Sequence, residues 1–272
     1  MEQNVFGFTV QLRRPFDFGF LAPYGKPFCV FEGGASGNIG FGLESERYGR
    51  VFAKFAGAPL QSARVSEEAA ALALENAMPL YQQLFSHPAL VRLLGSGRTG
   101  GGYLALYRFE EGPTLHDTGD ILTRPPLERL HMMEDMLDFH LFALSHGWMP
   151  VGLEDANLLV TPGGLKICDI DLYRPCPNRN DLGRMPGVSR YLAPEEYELG
   201  AVLDEKTAQY KLGALAFQLF AEESRRDKAS WCAPEALFHV ASAACSEEKR
   251  RRYNSFSAFC YAWRRAVGGL SL

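Results

Sequence analysis

The sequence predicts an α+β protein: a β-rich first part of about 110 residues, then a mainly helical part of about 160. Three observations carry this. Between residues 28 and 57, short apolar runs ("FCVFEGG", "NIGFGLES", "RVFAKFAG") are separated by glycine and charge clusters, as in strands joined by turns. Over 126–147, Leu127, Leu130, Met133, Leu137, Leu141 and Leu144 recur at the three-to-four spacing of an amphipathic helix. Beyond Pro194 the pattern stays helical, with "QYKLGALAFQLFAEE" the clearest buried segment.

Taken in order, the three runs before residue 57 are strands. "SEEAAALALENAMPLYQQLF" (66–85) is a helix that opens on Ser66 with Glu67 and Glu68 in its first turn, and Pro79 is expected to kink or split it. "ALVRLLGSGRTGGGYLALYRF" (89–109) reads as two strands around a glycine-rich turn. The helix over 126–147 should end at Gly147. Residues 157–171 read as a hairpin around Thr161-Pro162-Gly163-Gly164.

Composition narrows the function. Of the 272 residues, 47% are hydrophobic and 22% charged, which suits a packed core. A net charge of −4 argues against nucleic acid or an anionic membrane as the main partner. The basic run Lys249–Arg252 is too short to change that. Six scattered cysteines form no C-x-x-C pair, so neither a zinc site nor a disulfide framework is expected. With no secretion-signal pattern and no long apolar stretch at hand, the expected setting is the cytoplasm.

Four features bear on chemistry. In "GGASGNIGFG", Gly34 and Gly37 would let backbone N–H groups approach an anion where a Cβ would obstruct it; a plain hairpin turn explains them about as well. Lys54 stands in an apolar strand, so its ammonium must reach a cleft or, on an edge strand, water. Asn157 and Asp169 are linked by the hairpin and offer hard oxygen ligands for Mg²⁺, although Asn and Asp are also common turn formers. His140 and His146 read as structural histidines, and Ser36 and Ser189 as turn residues before phosphosites.

In this order the features resemble the protein-kinase family. "GGASGNIGFG" is similar to its glycine-rich loop, "VFAKF" to V-A-I-K, "HPALVRLLG" to the segment after the αC helix, "CDID" to D-F-G and "YLAPEE" to A-P-E. The match runs from about residue 28 to 264. "SGNIGFGLES", "KFAGAP" and "CDIDLYRP" further resemble a group of bacterial serine/threonine kinases. The resemblance implies a two-lobed kinase-like fold: an N-lobe over 1–111 with an N-terminal extension, and a helical C-lobe over 112–272. It implies ATP and Mg²⁺ in the cleft, with a protein substrate or partner. Gly34 and Gly37 would cover the phosphates, Lys54 would contact them, and Asn157 and Asp169 would hold the metal. The hinge over 108–111, with Arg108 and Glu110, would meet adenine. Glu75 is the helix acid nearest the usual partner of Lys54, about two residues out of place. Glu195 would pair with Arg252 as a structural strut.

The pattern breaks at the catalytic loop. Where H-R-D should stand before Asn157, the chain has Pro150-Val151-Gly152, so the aspartate that accepts the substrate proton is missing. The lysine two further on is Glu154, and the aspartate that supports this loop from the buried helix is Ala208. Two expectations follow. Either Glu154 or Asp155 replaces the base in a divergent, weak serine/threonine kinase, or the protein is a pseudokinase, a nucleotide-binding switch or scaffold.

Overall fold

The computed structural model describes residues 1–32 and 34–269 and is α+β. It comprises two compact units, one built from residues 1–86 and 91–110, the other from 87–90 and 111–272.

The first unit begins with a hairpin, β1 (Glu2–Val5) and β2 (Phe8–Gln11), whose two-residue turn has both Phe6 and Gly7 at positive φ. A five-stranded antiparallel sheet follows: β3 (Lys26–Glu32), β4 (Asn38–Ser45), β5 (Gly49–Ala56), β6 (Leu93–Thr99) and β7 (Gly102–Arg108), in the order β3-β4-β5-β7-β6. Strand alternation gives it two working faces. Ile39, Phe41, Leu43, Val51, Ala53, Phe55, Leu104 and Leu106 turn to one side and are buried there with Val10, Leu12, Phe18 and Leu21 of the N-terminal segment. The opposite face carries the single helix inserted between the third and fourth strands, α1 (Glu67–Leu84), whose Tyr81 ring lies 5.2 Å from that of Tyr107. Ser66 caps α1, its hydroxyl accepting the Ala69 N–H at 3.2 Å. Contrary to expectation, α1 runs uninterrupted through Pro79. Pro79 is exposed, so the backbone partner it leaves behind can turn to water.

In the second unit, α2 (Pro126–Ser145) starts with a proline at its first position and stops before Gly147, which has φ +81°. A short strand β8 (Trp148–Met149) leads into a loop and a single 3-10 turn, Asp155–Asn157. The hairpin β9 (Leu158–Thr161) and β10 (Gly164–Ile167) closes on Pro162-Gly163, so the paired strands end before Cys168. Asp135 on α2 steadies this hairpin by accepting the Leu165 N–H at 2.8 Å. Two small pairings follow, β8 with β11 (Arg174–Pro175), and β12 (Asn178–Arg179) with β13 (Val202–Leu203). Helix α3 (Glu205–Phe220) is buried from Thr207 to Phe220, and α4 (Glu235–Ala244) and α5 (Phe256–Gly268) complete the unit. Among the described residues no helix is long and apolar enough to cross a membrane, and all six cysteines are free.

Candidate functional site

In the first unit, Lys54 lies on β5, the middle strand of the sheet, paired in register with Gly40 and Ala105, and is only 8% exposed. The edge-strand alternative is thereby excluded: a lysine at this depth is held by the protein interior, not by water. Phe52 occupies the same face two residues earlier. Its ring lies across Gly40, where an added Cβ would stand 2.5 Å from the ring.

The glycine turn is tied down locally. The Gly37 N–H donates to the Gly34 carbonyl at 3.4 Å, and the Arg64 N–H donates to the Ala35 carbonyl at 3.0 Å. Gly37 has φ +79°, and a Cβ there would lie 3.0 Å from the Ala70 methyl at the start of α1. The tip therefore rests on α1, which by itself accounts for Gly37; Gly34 is exposed and a Cβ on it would meet nothing.

Two expectations in this unit meet competing contacts. The Glu75 carboxylate pairs with Arg98 of β6. The buried positions around it, Ala71, Leu74 and Met78, carry no acid, because this stripe of α1 is spent on packing. In the proposed hinge, the Arg108 N–H already donates to the Arg92 carbonyl at 2.9 Å and the Phe109 N–H to the Arg50 carbonyl at 3.1 Å. Adenine would be left with the backbone of Glu110 and Glu111. Arg108 is exposed and Glu110 half-buried.

In the second unit, the loop before Asn157 has a definite construction. Gly152 adopts φ +69°, the left-handed region that favours glycine. A Cβ at 152 would stand 2.6 Å from Leu172 Cδ1 and 3.3 Å from its Cβ. From another side Gly187 closes in, so tightly that a Cβ on Gly187 would lie 3.3 Å from the Gly152 Cα. The place where the catalytic carboxylate would begin is occupied by the chain's own Leu172 side chain.

The two substitute acids meet different fates. Asp155 is 5% exposed, and its Oδ2 accepts from Gln218 Nε2 of α3 at 3.0 Å. Gln218 in turn accepts from the Tyr191 hydroxyl. His116 Nδ1 and Arg190 lie 3.6 and 3.7 Å from the same Asp155 oxygen. Asp155 thus acts as a buried strut between the loop and α3. Glu154 is half-buried beside Asp155 and Asp169, and burial followed by those two negative charges pushes its carboxyl above the usual range. Asn157 is half-buried, its carbonyl accepting the Cys168 N–H at 2.9 Å, which fixes the start of the segment carrying Asp169. Asp169 is exposed at φ +56°.

No group of three His, Cys, Asp or Glu among the described residues converges into a metal-binding set. Glu154 shares its surroundings with the negative charges of Asp169 and Asp155, and a Mg²⁺ held largely by phosphate oxygens and water needs only one or two protein carboxylates.

Sequence reasoning missed several residues that build this region: Leu172, Gln218, His116 and Arg190 around the loop, and the fully buried pair Lys211–Glu196 at 2.6 Å. A lysine inside the apolar run of α3 was the one available signal for the last. The Glu195–Arg252 pair is present and bidentate, at 2.6 and 3.0 Å, with the Thr207 hydroxyl donating to Glu195 at 2.8 Å. His140, wholly buried on α2, is structural as expected: its Nδ1 lies 2.7 Å from the Met136 carbonyl and its Nε2 2.8 Å from the Tyr173 hydroxyl.

No family model matches the chain, and no curated protein matches its sequence.

Proposed function

We propose that this is a kinase-like protein that binds a nucleotide and Mg²⁺ but does not transfer phosphate: a pseudokinase acting as a switch or scaffold. Support for the kinase-like part comes from two places. The sheet order β3-β4-β5-β7-β6 with one helix between its third and fourth strands, and a buried lysine on the third, agrees with the order of motifs in the sequence. The bidentate Glu195–Arg252 pair joins residues 57 apart that only the resemblance links.

The observation that favours the inactive reading is Gly152. Its left-handed backbone and the Leu172 side chain lying on it disfavour a base at this position, and Asp155 is committed to Gln218. Of the expected substitutes only Glu154 retains partial exposure; burial and its neighbours Asp169 and Asp155 push its carboxyl above the usual range, so it is the one acid left for the transfer assay to test. In this reading Lys54 would contact phosphate, and Asn157 and Asp169 would hold a metal that supplies neutralisation of phosphate charge.

The test is thermal stability with ATP and MgCl₂, each alone and together, for the wild type, Lys54→Ala and Asp169→Ala, alongside a γ-phosphate transfer assay. Ligand at 100 times its dissociation constant adds about 2.7 kcal/mol of stability. A metal-dependent rise in melting temperature lost in both variants, with no transfer, is the expected result. Transfer abolished by Glu154→Gln would return the protein to the enzymes, and no shift in any condition would remove the nucleotide.

A further inference from the structure

We propose that the sheet face remote from Lys54 carries a second, unrelated binding groove, which takes a small arylalkyl carboxylate. The groove arises from two missing side chains. On the face where Leu104 and Leu106 of β7 are buried, their register partners on β6 are Gly97 and Gly95. Alternation calls for apolar side chains at these two positions; Leu94, Tyr24 and Phe20 pack against the same core around them, and the glycines leave the space over Leu104 and Leu106 only partly filled.

Neither glycine is demanded by the fold. Both lie outside the positive-φ residues, and a Cβ added to either meets no atom within 4 Å. Gly95 adjoins a register shift in the β6–β7 pairing; Gly97 has not even that. Glycine inside a strand weakens it, and where neither conformation nor packing requires one, it marks a place kept open for close approach.

What is kept open is a cavity of about 290 Å³, just under the range for small-molecule sites. Its floor is Leu104 and Leu106, and Tyr24 and Tyr48 border it. Arg47 and Arg98 line it too; Arg98 is engaged by Glu75, whereas Arg47 is exposed, its guanidinium 4.9 Å from the ring centroid of its neighbour Tyr48. An apolar floor between phenol rings accepts a planar ring, and a guanidinium beside it accepts a carboxylate in two parallel hydrogen bonds. The ligand class is therefore a ring on a short alkyl arm ending in a carboxylate.

The test is a titration of ¹⁵N-labelled protein with phenylacetate, phenylacetamide and phenethylamine, following the Gly95 and Gly97 amide signals. Phenylacetate is expected to shift both saturably, with phenylacetamide at least tenfold weaker and phenethylamine without effect. Arg47→Gln should bring phenylacetate down to the level of the amide. Gly97→Val should abolish binding while leaving the melting temperature unchanged or raised, since its side chain enters open space. The proposal falls if phenylacetate gives no saturable shift, if phenethylamine matches it, or if Gly97→Val binds as the wild type does. None of these outcomes depends on ATP.

Discussion

Replacing Gly152 probes the steric account of the loop before Asn157. In Gly152→Ala the new methyl must adopt a left-handed backbone, which costs roughly 1–2 kcal/mol. It must also enter space held by Leu172 Cδ1 at 2.6 Å, and overpacking of that kind costs about 1–3 kcal/mol. The sum is a loss of about 2–5 kcal/mol. Truncating the neighbour separates the two parts. Leu172→Ala removes Cδ1 and Cγ and leaves only its Cβ, 3.3 Å from the new methyl. Because Leu172 is 50% exposed, the truncation by itself should cost little. Urea unfolding of the two single variants and the double should thus show a coupling of about 1–3 kcal/mol, the double recovering the overpacking part and keeping the backbone part. The same logic governs chemistry: Gly152→Asp alone stays silent in a phosphotransfer assay, and activity emerges only when Leu172→Ala opens the position. If Gly152→Ala matches the wild type in stability, or the two effects simply add, Leu172 does not occupy the base position and the steric account is wrong.

Two further outcomes concern buried ionisable groups. Lys211→Met strands the Glu196 carboxylate, whose side chain is fully buried, and should cost about 3–5 kcal/mol. Lys211→Met with Glu196→Gln should cost less than the single variant in chemical denaturation, and an equal or larger loss in the double counts against the pair. His140 is held neutral, its pKa lowered by burial to about 4, against about 6.5 in the unfolded chain. The unfolded chain therefore takes up a proton at a pH where the folded one does not, so stability falls as pH drops from about 6.5 to 4, by about 3 kcal/mol in all, and is flat above that window. In His140→Gln the share of this acid-side slope that His140 supplies should be lost, read as the difference from the wild type in denaturation curves across that range; an identical slope would assign it to other groups.

How legible the protein was in its sequence varied with the range of the interactions involved. Strands β4 and β5, helix α1 with its Ser66 cap, helix α2 up to Gly147 and the β9–β10 hairpin all rest on local signals: alternation, capping chemistry and turn residues within a few positions. The N-terminal hairpin was not read because "EQNVFGFTVQ" is short and only partly alternating, and what makes it stable is burial of Val5 and Val10 in a core assembled from distant strands. Pro79 was misread because a proline's cost depends on which face of the helix carries it, and that face is decided by packing.

The candidate site shows the same division more sharply. That Gly152 stands where a base is expected could be read by counting back from Asn157, since spacing is a local property. What fills the position could not: Leu172 lies twenty residues on, and nothing in "CDIDLYRP" says that its leucine folds back over a glycine. Asp155 makes the complementary point. An acid three residues after a lost one is, on spacing, a ready substitute, and reach was the only criterion the sequence offered. The structure adds the competing partner, Gln218 on a helix more than sixty residues away, itself engaged by Tyr191. A carboxylate already accepting a hydrogen bond in a buried network can leave it only at the expense of an unsatisfied amide. Substituting a base therefore takes more than an acid within reach: the acid must be free of structural work, and Asp155 is not.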